Sequence, residues 1–179
     1  MISSIRSSPQ QPQDFDFLHQ GGIDAYVNED YARSIALFQQ ALNLCTIPIE
    51  KATIYLDLAR SHLRNQEIMN GEEQLSNCLS ILDENIAEGP EKRHIKSMCL
   101  FATCVIMKMR NHRQLERSMN QLVIMLGEGN CQFEYQLFIQ PAMALGDRQY
   151  LDLLDELKLA MIMQNPQSPI TTELTDHLQ

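Results

Sequence analysis

The chain has 179 residues, enough for one ordinary domain or a short array of repeats. Its 14 basic and 23 acidic residues give a formal charge of −9, which argues against a general nucleic-acid-binding surface because such surfaces are basic. With 44% apolar residues but only 7 glycines and 7 prolines, the composition supplies a core and argues against a sandwich or barrel of many short strands.

The ends of the chain differ from its middle. Residues 1–13 and 165–179 are rich in Ser, Gln, Pro and Thr, so we expect flexible tails around a helical domain at 14–164. The start lacks the apolar stretch of a signal peptide, and no run approaches the roughly 18 apolar residues that span a bilayer. The five cysteines form no CxxC pair, which predicts buried thiols in a reducing, cytoplasmic setting and leaves the nucleus open.

Apolar residues recur at helical spacing almost everywhere, which predicts an all-α fold. The predicted helices, in chain order, cover 15–28, 31–45, 52–64, 71–83, 94–110, 115–126, 132–145 and 149–163. Pro48 and the Gly89-Pro90 pair are expected to interrupt the helices, because proline cannot continue a helical hydrogen-bond ladder. These eight helices form four hairpins.

An internal repeat relates the first two hairpins with a shift of 37 residues. Both carry the same spacing of alternating small and bulky residues: Leu18-x3-Gly22-x11-Ser34-x3-Phe38-x2-Ala41 and Tyr55-x3-Ala59-x11-Gly71-x3-Leu75-x2-Cys78. A large side chain would push the helices apart wherever they approach closely. The small residues therefore predict the points of closest approach within each hairpin.

This pattern resembles the tetratricopeptide repeat, a helix-turn-helix unit with small and large residues at fixed positions. Residues 30–44 (DYARSIALFQQALNL) are the best match, as the second helix of such a unit. The third hairpin keeps the second-helix spacing but has Ile106 at the Gly22 position, and the fourth has Pro141 there. The resemblance implies a short superhelix of about eight helices, with two recognisable and two degenerate repeats; a generic helical bundle is the alternative.

The resemblance also implies a concave groove lined by the first helix of each repeat. Its candidate positions are Ile23 and Val27 beside Tyr26 in the first repeat, Arg60 and Arg64 in the second, and Met107 and Asn111 beside Lys108 and Arg110 in the third. The candidate partner-binding residues are Ile23, Tyr26, Arg60, Arg64, Lys108 and Arg110. Such a groove suits an extended or helical peptide with hydrophobic anchors and acidic residues.

Some members of that family clamp the C-terminal carboxylate of chaperones with a Lys or Arg and an Asn on the first helix. Here those positions hold His19 and Ile23, which argues against chaperone-tail binding.

Basic residues are concentrated in one block of this acidic chain. Between positions 92 and 117 there are seven basic residues and one acidic residue, a balance of +6, against −15 for the remainder. The block has two interpretations: a helix surface paired with neighbouring acidic helices, or a docking site. Binding of nucleic acid through it is disfavoured by the acidity of the whole chain.

No catalytic motif or metal-ligand spacing is present, and the five histidines are scattered. Cys99 and Cys104 are five residues apart, so their side chains diverge by about 140° on a helix, and we interpret them with His94 as core residues. His62 is expected at the surface or in the groove. The hypothesis is a non-enzymatic protein-binding adaptor without cofactor or metal.

Two alternatives remain open: a small chaperone for a secreted client protein, and a structural subunit of a larger complex. The last hairpin, with Leu151, Leu154 and Met161, is a candidate surface for self-association, since this end of the array does not look polar.

Overall fold

The computed structural model describes residues 14–110 and 112–127, together with the helical residues Asp152, Asp155, Glu156 and Leu159. Within this part of the chain the fold is all-helical, with six helices and no strand. The helices are α1 (Phe15–Val27), α2 (Tyr31–Leu44), α3 (Pro48–Arg64), α4 (Ile68–Asn85), α5 (Pro90–Met109) and α6 (Leu115–Gly127). The described residues form six helices, against about eight expected for the whole chain. The predicted tails, and the fourth hairpin apart from those four residues, lie outside the described residues.

Two prolines that were expected to lie in breaks between helices are instead the first residues of helices. Pro48 and Pro90 are the first residues of α3 and α5. The first helical N–H has no partner within the helix, so proline loses nothing there, and its fixed φ already suits the helix. Both helices therefore start four residues earlier than the apolar pattern predicts, at 48 and 90 rather than at 52 and 94.

The two turns inside the first two hairpins have the same geometry, 37 residues apart. After α1, the N–H of Glu29 donates to Tyr26 O (3.0 Å) and that of Asp30 to Ala25 O (2.9 Å). After α3, Gln66 donates to Leu63 O (3.1 Å) and Glu67 to His62 O (2.9 Å). This is the Schellman pattern of helix termination, and it repeats residue for residue. The sequence repeat is thus also a repeat of backbone structure.

Each of these turns places a non-glycine residue in the left-handed region, with φ 62° at Glu29 and 63° at Gln66. Glycine adopts this conformation without steric penalty. We expect Gln66→Gly to raise the free energy of unfolding by about 0.5–1 kcal/mol. Urea unfolding followed by circular dichroism measures it. Gln66→Ala, which keeps a Cβ, is the control and should give no such gain; an equal gain in both variants would contradict this explanation.

Small residues mark the close approaches that the repeat predicts. A Cβ on Gly22 would lie 2.5 Å from Phe38 Cε1, and one on Gly71 would lie 2.9 Å from the Leu63 side chain. The buried Ser34 hydroxyl donates to Gly22 O at 2.9 Å and lies 3.0 Å from Ser61 Oγ, which joins the first hairpin to α3. Larger side chains at these positions would separate the helices.

Helix α3 holds the described helices together. It packs against α2 and α4 and also contacts α1 and α5. Ile54 and Leu58 complete a buried cluster with Leu18, Phe38 and other residues of α1 and α2. On its other side, Ala52, Leu56 and Ala59 join a larger cluster with α4, α5 and α6. The hairpins therefore pack in series, with α3 shared between two cores.

The third hairpin, formed by α5 and α6, has the same helix termination as the first two but a turn that is two residues longer. Arg110 ends α5 with φ −96° and ψ 3°, close to the values at Asn65 (−81°, 8°), and His112 N–H donates to Met107 O at 2.8 Å. Helix α6 begins two residues later after α5 than α4 does after α3. An alignment that starts from α6 and applies the spacing of the first two hairpins therefore assigns the repeat positions of α5 two residues too late.

The equivalents of Ala59, Arg60 and Arg64 are therefore Cys104, Val105 and Met109, not Ile106, Met107 and Asn111. Cys104 is a small, fully buried residue, as the position requires. Most of the extra length between the second and third hairpins lies in longer helices: α4 has 18 residues and α5 has 20, against 14 in α2 and 17 in α3.

Candidate functional site

A cleft of about 220 Å³ lies between α1 and α3, lined by Ile23, Tyr26, Phe38, Asp57 and Arg60. It brings together three of the six residues predicted to bind a partner, Ile23, Tyr26 and Arg60. One wall is apolar and aromatic, and the other carries a carboxylate and a guanidinium. The volume is below the roughly 300–1,000 Å³ typical of small-molecule pockets. A cleft of this size fits a protruding side chain.

Asp57 organises the polar wall of the cleft. Its Oδ2 lies 3.0 Å from His19 Nε2 and its Oδ1 accepts a 3.4 Å hydrogen bond from Arg60 Nη1. Arg60 Nη2 also lies 3.5 Å from Met98 Sδ on α5. The 3.4 Å contact with Asp57 orients the guanidinium of Arg60. The Arg60 side chain remains 27% exposed, so it can still donate to an incoming acceptor.

Arg64 lies beside the cleft but does not line it. Its Nε and Nη2 donate to the Tyr31 hydroxyl at 3.2 and 3.1 Å. The Tyr31 ring in turn packs edge-on against Tyr26, with ring centroids 5.6 Å apart. Arg64 therefore supports Tyr26 through Tyr31. This places Arg64 in a positioning role rather than at the cleft surface.

Lys108 and Arg110 lie apart from the cleft, and both are paired. Lys108 Nζ bonds Glu156, and Arg110 donates from both terminal nitrogens to the Glu72 carboxylate. Lys92 pairs with Glu88 at 2.8 Å and Lys96 with Asp83 at 2.9 Å. Four of the seven basic residues in the 92–117 block thus bond carboxylates of the same chain. The described contacts favour internal pairing over a docking site for this block.

His19 has a raised pKa because its ring nitrogen hydrogen-bonds the Asp57 carboxylate, an effect larger than the opposing one of burial. Since the folded-state pKa exceeds the ordinary value of 6.5, protonated His19 stabilises the fold. This contribution is fully present below pH 6.5 and disappears as the pH rises through the raised pKa.

We expect Asp57→Asn to lower the pKa of His19, because the largest cause of the increase is removed and burial remains. Titration of the His19 ring signals by NMR measures both values. An unchanged pKa in the variant would contradict the assignment of this contact.

The four cysteines in the described part of the chain are buried, as free thiols. Cys99 and Cys104 are fully buried in α5, as their interpretation as core residues predicts. Burial raises the pKa of Cys104 to about 12, so at neutral pH it is a thiol rather than a reactive thiolate. The sulfur atoms of Cys78 and Cys99 lie 3.3 Å apart. This contact and burial both raise the pKa of Cys78.

His62 is buried, not at the surface or in the groove as predicted, and its Nδ1 lies 2.7 Å from Glu67 Oε2. Glu67 directly precedes α4, so this contact lies at the turn between α3 and α4.

Among the described residues, no cluster of three or more His, Cys, Asp or Glu side chains has a geometry suited to a metal ion. None of the helices described is both long and apolar enough to cross a membrane. Comparisons with protein-family models, with curated proteins and with solved structures found no match.

Two residues that line the cleft, Phe38 and Asp57, are not among the binding residues predicted from the sequence. Asp57 precedes Arg60 by three residues, a spacing that places the two on one helix face, so this pair could have been found. His19 and Phe38 reach the same region only through packing of α1 and α2 on α3. No pattern along the chain indicates that meeting.

Proposed function

We propose that this protein is a non-enzymatic adaptor whose hairpins form a short superhelix resembling tetratricopeptide repeats, and that it binds a peptide segment or helix of another protein. The observation that carries the proposal is the convergence of Ile23, Tyr26 and Arg60 on one cleft between successive first helices. The repeated turn geometry supports it, because it gives α1 and α3 equivalent places within their own hairpins.

The cleft favours a partner with a bulky apolar side chain beside an acidic one. The apolar side chain would enter between Ile23 and Tyr26, and the carboxylate would accept hydrogen bonds from Arg60. Among the described residues, the second terminal nitrogen of Arg60 donates to the Met98 sulfur, a weak acceptor. Buried aromatic and arginine contacts of this kind dominate the energetics of most protein interfaces. Lys108 and Arg110 are secondary to this proposal because both already bond carboxylates.

The test is selection of peptides from a displayed library, followed by fluorescence anisotropy with the selected peptide. We expect Tyr26→Ala and Arg60→Ala each to weaken binding at least about tenfold, which corresponds to about 1.4 kcal/mol. Arg113→Ala is the matched control, since Arg113 is exposed in the basic block and away from the cleft. The double charge reversal Arg60→Glu and Arg64→Glu should abolish binding with helical content retained. Equal affinities for the wild type and Arg60→Ala would contradict the proposal.

A further inference from the structure

One carboxylate in the cleft between α1 and α3 contacts two basic side chains. The Asp57 Oδ2 atom lies 3.0 Å from Nε2 of His19, on α1, and Oδ1 accepts a 3.4 Å hydrogen bond from Nη1 of Arg60. Arg60 lines the cleft, whereas His19 reaches it through Asp57. Of these two basic groups only the imidazole loses its charge near neutral pH, since arginine stays protonated in proteins. The charge next to Arg60 therefore depends on His19.

The groups around His19 favour its charged form. From α3 it faces the carboxylates of Asp57 and Glu50, and from its own helix that of Asp16. Helix α2 contributes the Phe38 ring, whose centroid lies 5.7 Å from that of the imidazole. The hydrogen bond to Asp57 raises the pKa of His19 above its ordinary 6.5, although burial opposes this. His19 is thus mostly protonated at pH 6.5 and loses its charge as the pH rises through the raised pKa.

Titratable groups of α4 and α5 that act on Asp57 and Arg60 keep one charge state above pH 6.5. His94, on α5, has a lowered pKa, first because it is buried and second because Arg60 is positive, so it is mostly neutral above pH 6.5. Cys78, on α4, stays a thiol because its contact with Cys99, together with burial, raises its pKa. Within this set, His19 is the group whose charge changes between pH 6.5 and about pH 9.

The protonation state of His19 sets the charge that an incoming acidic side chain meets. With His19 protonated, two positive groups flank the Asp57 carboxylate, and the three groups carry one net positive charge. With His19 neutral, the charge of Asp57 balances that of Arg60. The neutral ring can still donate from Nε2–H to Asp57, so the contact is kept while the charge is lost. A carboxylate that approaches Arg60 is therefore attracted more strongly in the protonated state.

We propose that His19, acting through Asp57, is a positioning residue that makes the binding of an acidic partner side chain at Arg60 depend on protonation. This inference rests on the function proposed above, because it concerns the same cleft. Protonation and binding are then linked, so a bound carboxylate raises the pKa of His19 further and binding takes up protons. The partner is bound more tightly at mildly acidic pH than at alkaline pH.

The test is fluorescence anisotropy with an N-acetylated peptide that is selected from a displayed library, contains Asp or Glu beside an apolar residue, and lacks histidine. From about pH 6.5 to about pH 9 its affinity for the wild type should fall at least about threefold, because one positive charge is lost beside the peptide carboxylate. His19→Gln keeps a donor for Asp57 without the charge, so at every pH it should bind as the wild type does at the alkaline end. His112→Gln is the matched control: His112 is exposed in the turn after α5, and its variant should keep the wild-type pH dependence.

Two further measurements use the wild-type chain alone and so do not depend on the stability of His19→Gln. The same peptide with Asn or Gln in place of its acidic residue should bind with an affinity that does not change over this pH range. NMR titration should give a higher pKa for His19 in the complex with the acidic peptide than in the free chain.

The outcomes separate this inference from the proposed function. A pH-independent affinity for a peptide whose binding Arg60→Ala weakens would overturn the role of His19 and leave the proposed function in place. Equal pH dependence in the wild type and His19→Gln would also overturn it, by assigning the effect to another group. Failure to select any peptide, or a selected peptide that is insensitive to Arg60→Ala, would overturn both.

Discussion

Replacing Ile54 with alanine is expected to lower the free energy of unfolding by about 2–4 kcal/mol. Ile54 has no exposed surface and lies in the cluster that joins α3 to α1 and α2, with Leu18 and Phe38 among its neighbours. Removing its outer carbons leaves a cavity between two hairpins that the helices cannot close without shifting. Urea unfolding followed by circular dichroism, at low micromolar protein, measures the loss.

Phe17→Ala is the matched control for this prediction, because Phe17 is the repeat counterpart of Ile54 but is mostly exposed. We expect a change within about 0.5 kcal/mol. Similar losses at both positions would contradict the assignment of Ile54 as a contact between hairpins and Phe17 as a surface residue. The same result would also weaken the equivalence between the two helices.

Replacing Gly22 with alanine is expected to lower the free energy of unfolding by about 1–3 kcal/mol, although alanine is the better helix former. The added Cβ would lie 2.5 Å from Phe38 Cε1 and 2.6 Å from Cδ1, and the buried Phe38 ring has little room to move. At the neighbouring Gly21 the same change should instead stabilise the monomer by about 0.5–1 kcal/mol, since its Cβ meets only an ordinary contact.

A double-mutant cycle shows whether the Phe38 ring is the cause. In a Phe38→Leu background, where the flat ring is replaced by a smaller side chain, Gly22→Ala should be less destabilising by at least about 1 kcal/mol. An unchanged loss in that background would mean that the strain lies elsewhere. Equal effects of alanine at Gly21 and Gly22 would show that α1 does not present Gly22 to α2.

The helices were predictable from the sequence because apolar periodicity and helix breaks are local signals. The predicted second helix of the first hairpin ends one residue from α2, and the small residues at Gly22, Ser34 and Gly71 lie at close approaches. Helix starts were less accurate, because Pro48 is both a signal that ends one helix and a good first residue for the next.

Other features depend on tertiary packing and were not predictable. Glu29 and Gln66 adopt a conformation typical of glycine, which neither residue type indicates. The longer turn after α5 shifts the register of the third hairpin by two residues, so the counterparts of Arg60 and Arg64 are Val105 and Met109 rather than Met107 and Asn111. The carboxylate partners of Lys108 and Arg110 lie 48 and 38 residues away along the chain, beyond any local pattern.

The predicted binding residues therefore divide by environment. Ile23, Tyr26 and Arg60 meet at one cleft, Arg64 supports Tyr26 through Tyr31, and Lys108 and Arg110 pair with acidic residues elsewhere. The mechanism that we propose needs only the first group at the surface. Substitutions at Lys108 or Arg110 should accordingly affect peptide binding much less than substitutions at Tyr26 or Arg60.

The central proposal is that the cleft between α1 and α3 receives a side chain of a partner peptide. NMR titration of the isotopically labelled chain with a library-selected peptide tests this most directly. The account predicts shifts of the Ile23 methyl groups, the Tyr26 ring and the Arg60 amide, with Met69 and Ile124, which are exposed on other helices, unchanged. Shifts confined to α6 or to the region of Phe17 and Arg33, with Ile23, Tyr26 and Arg60 unaffected, would contradict it.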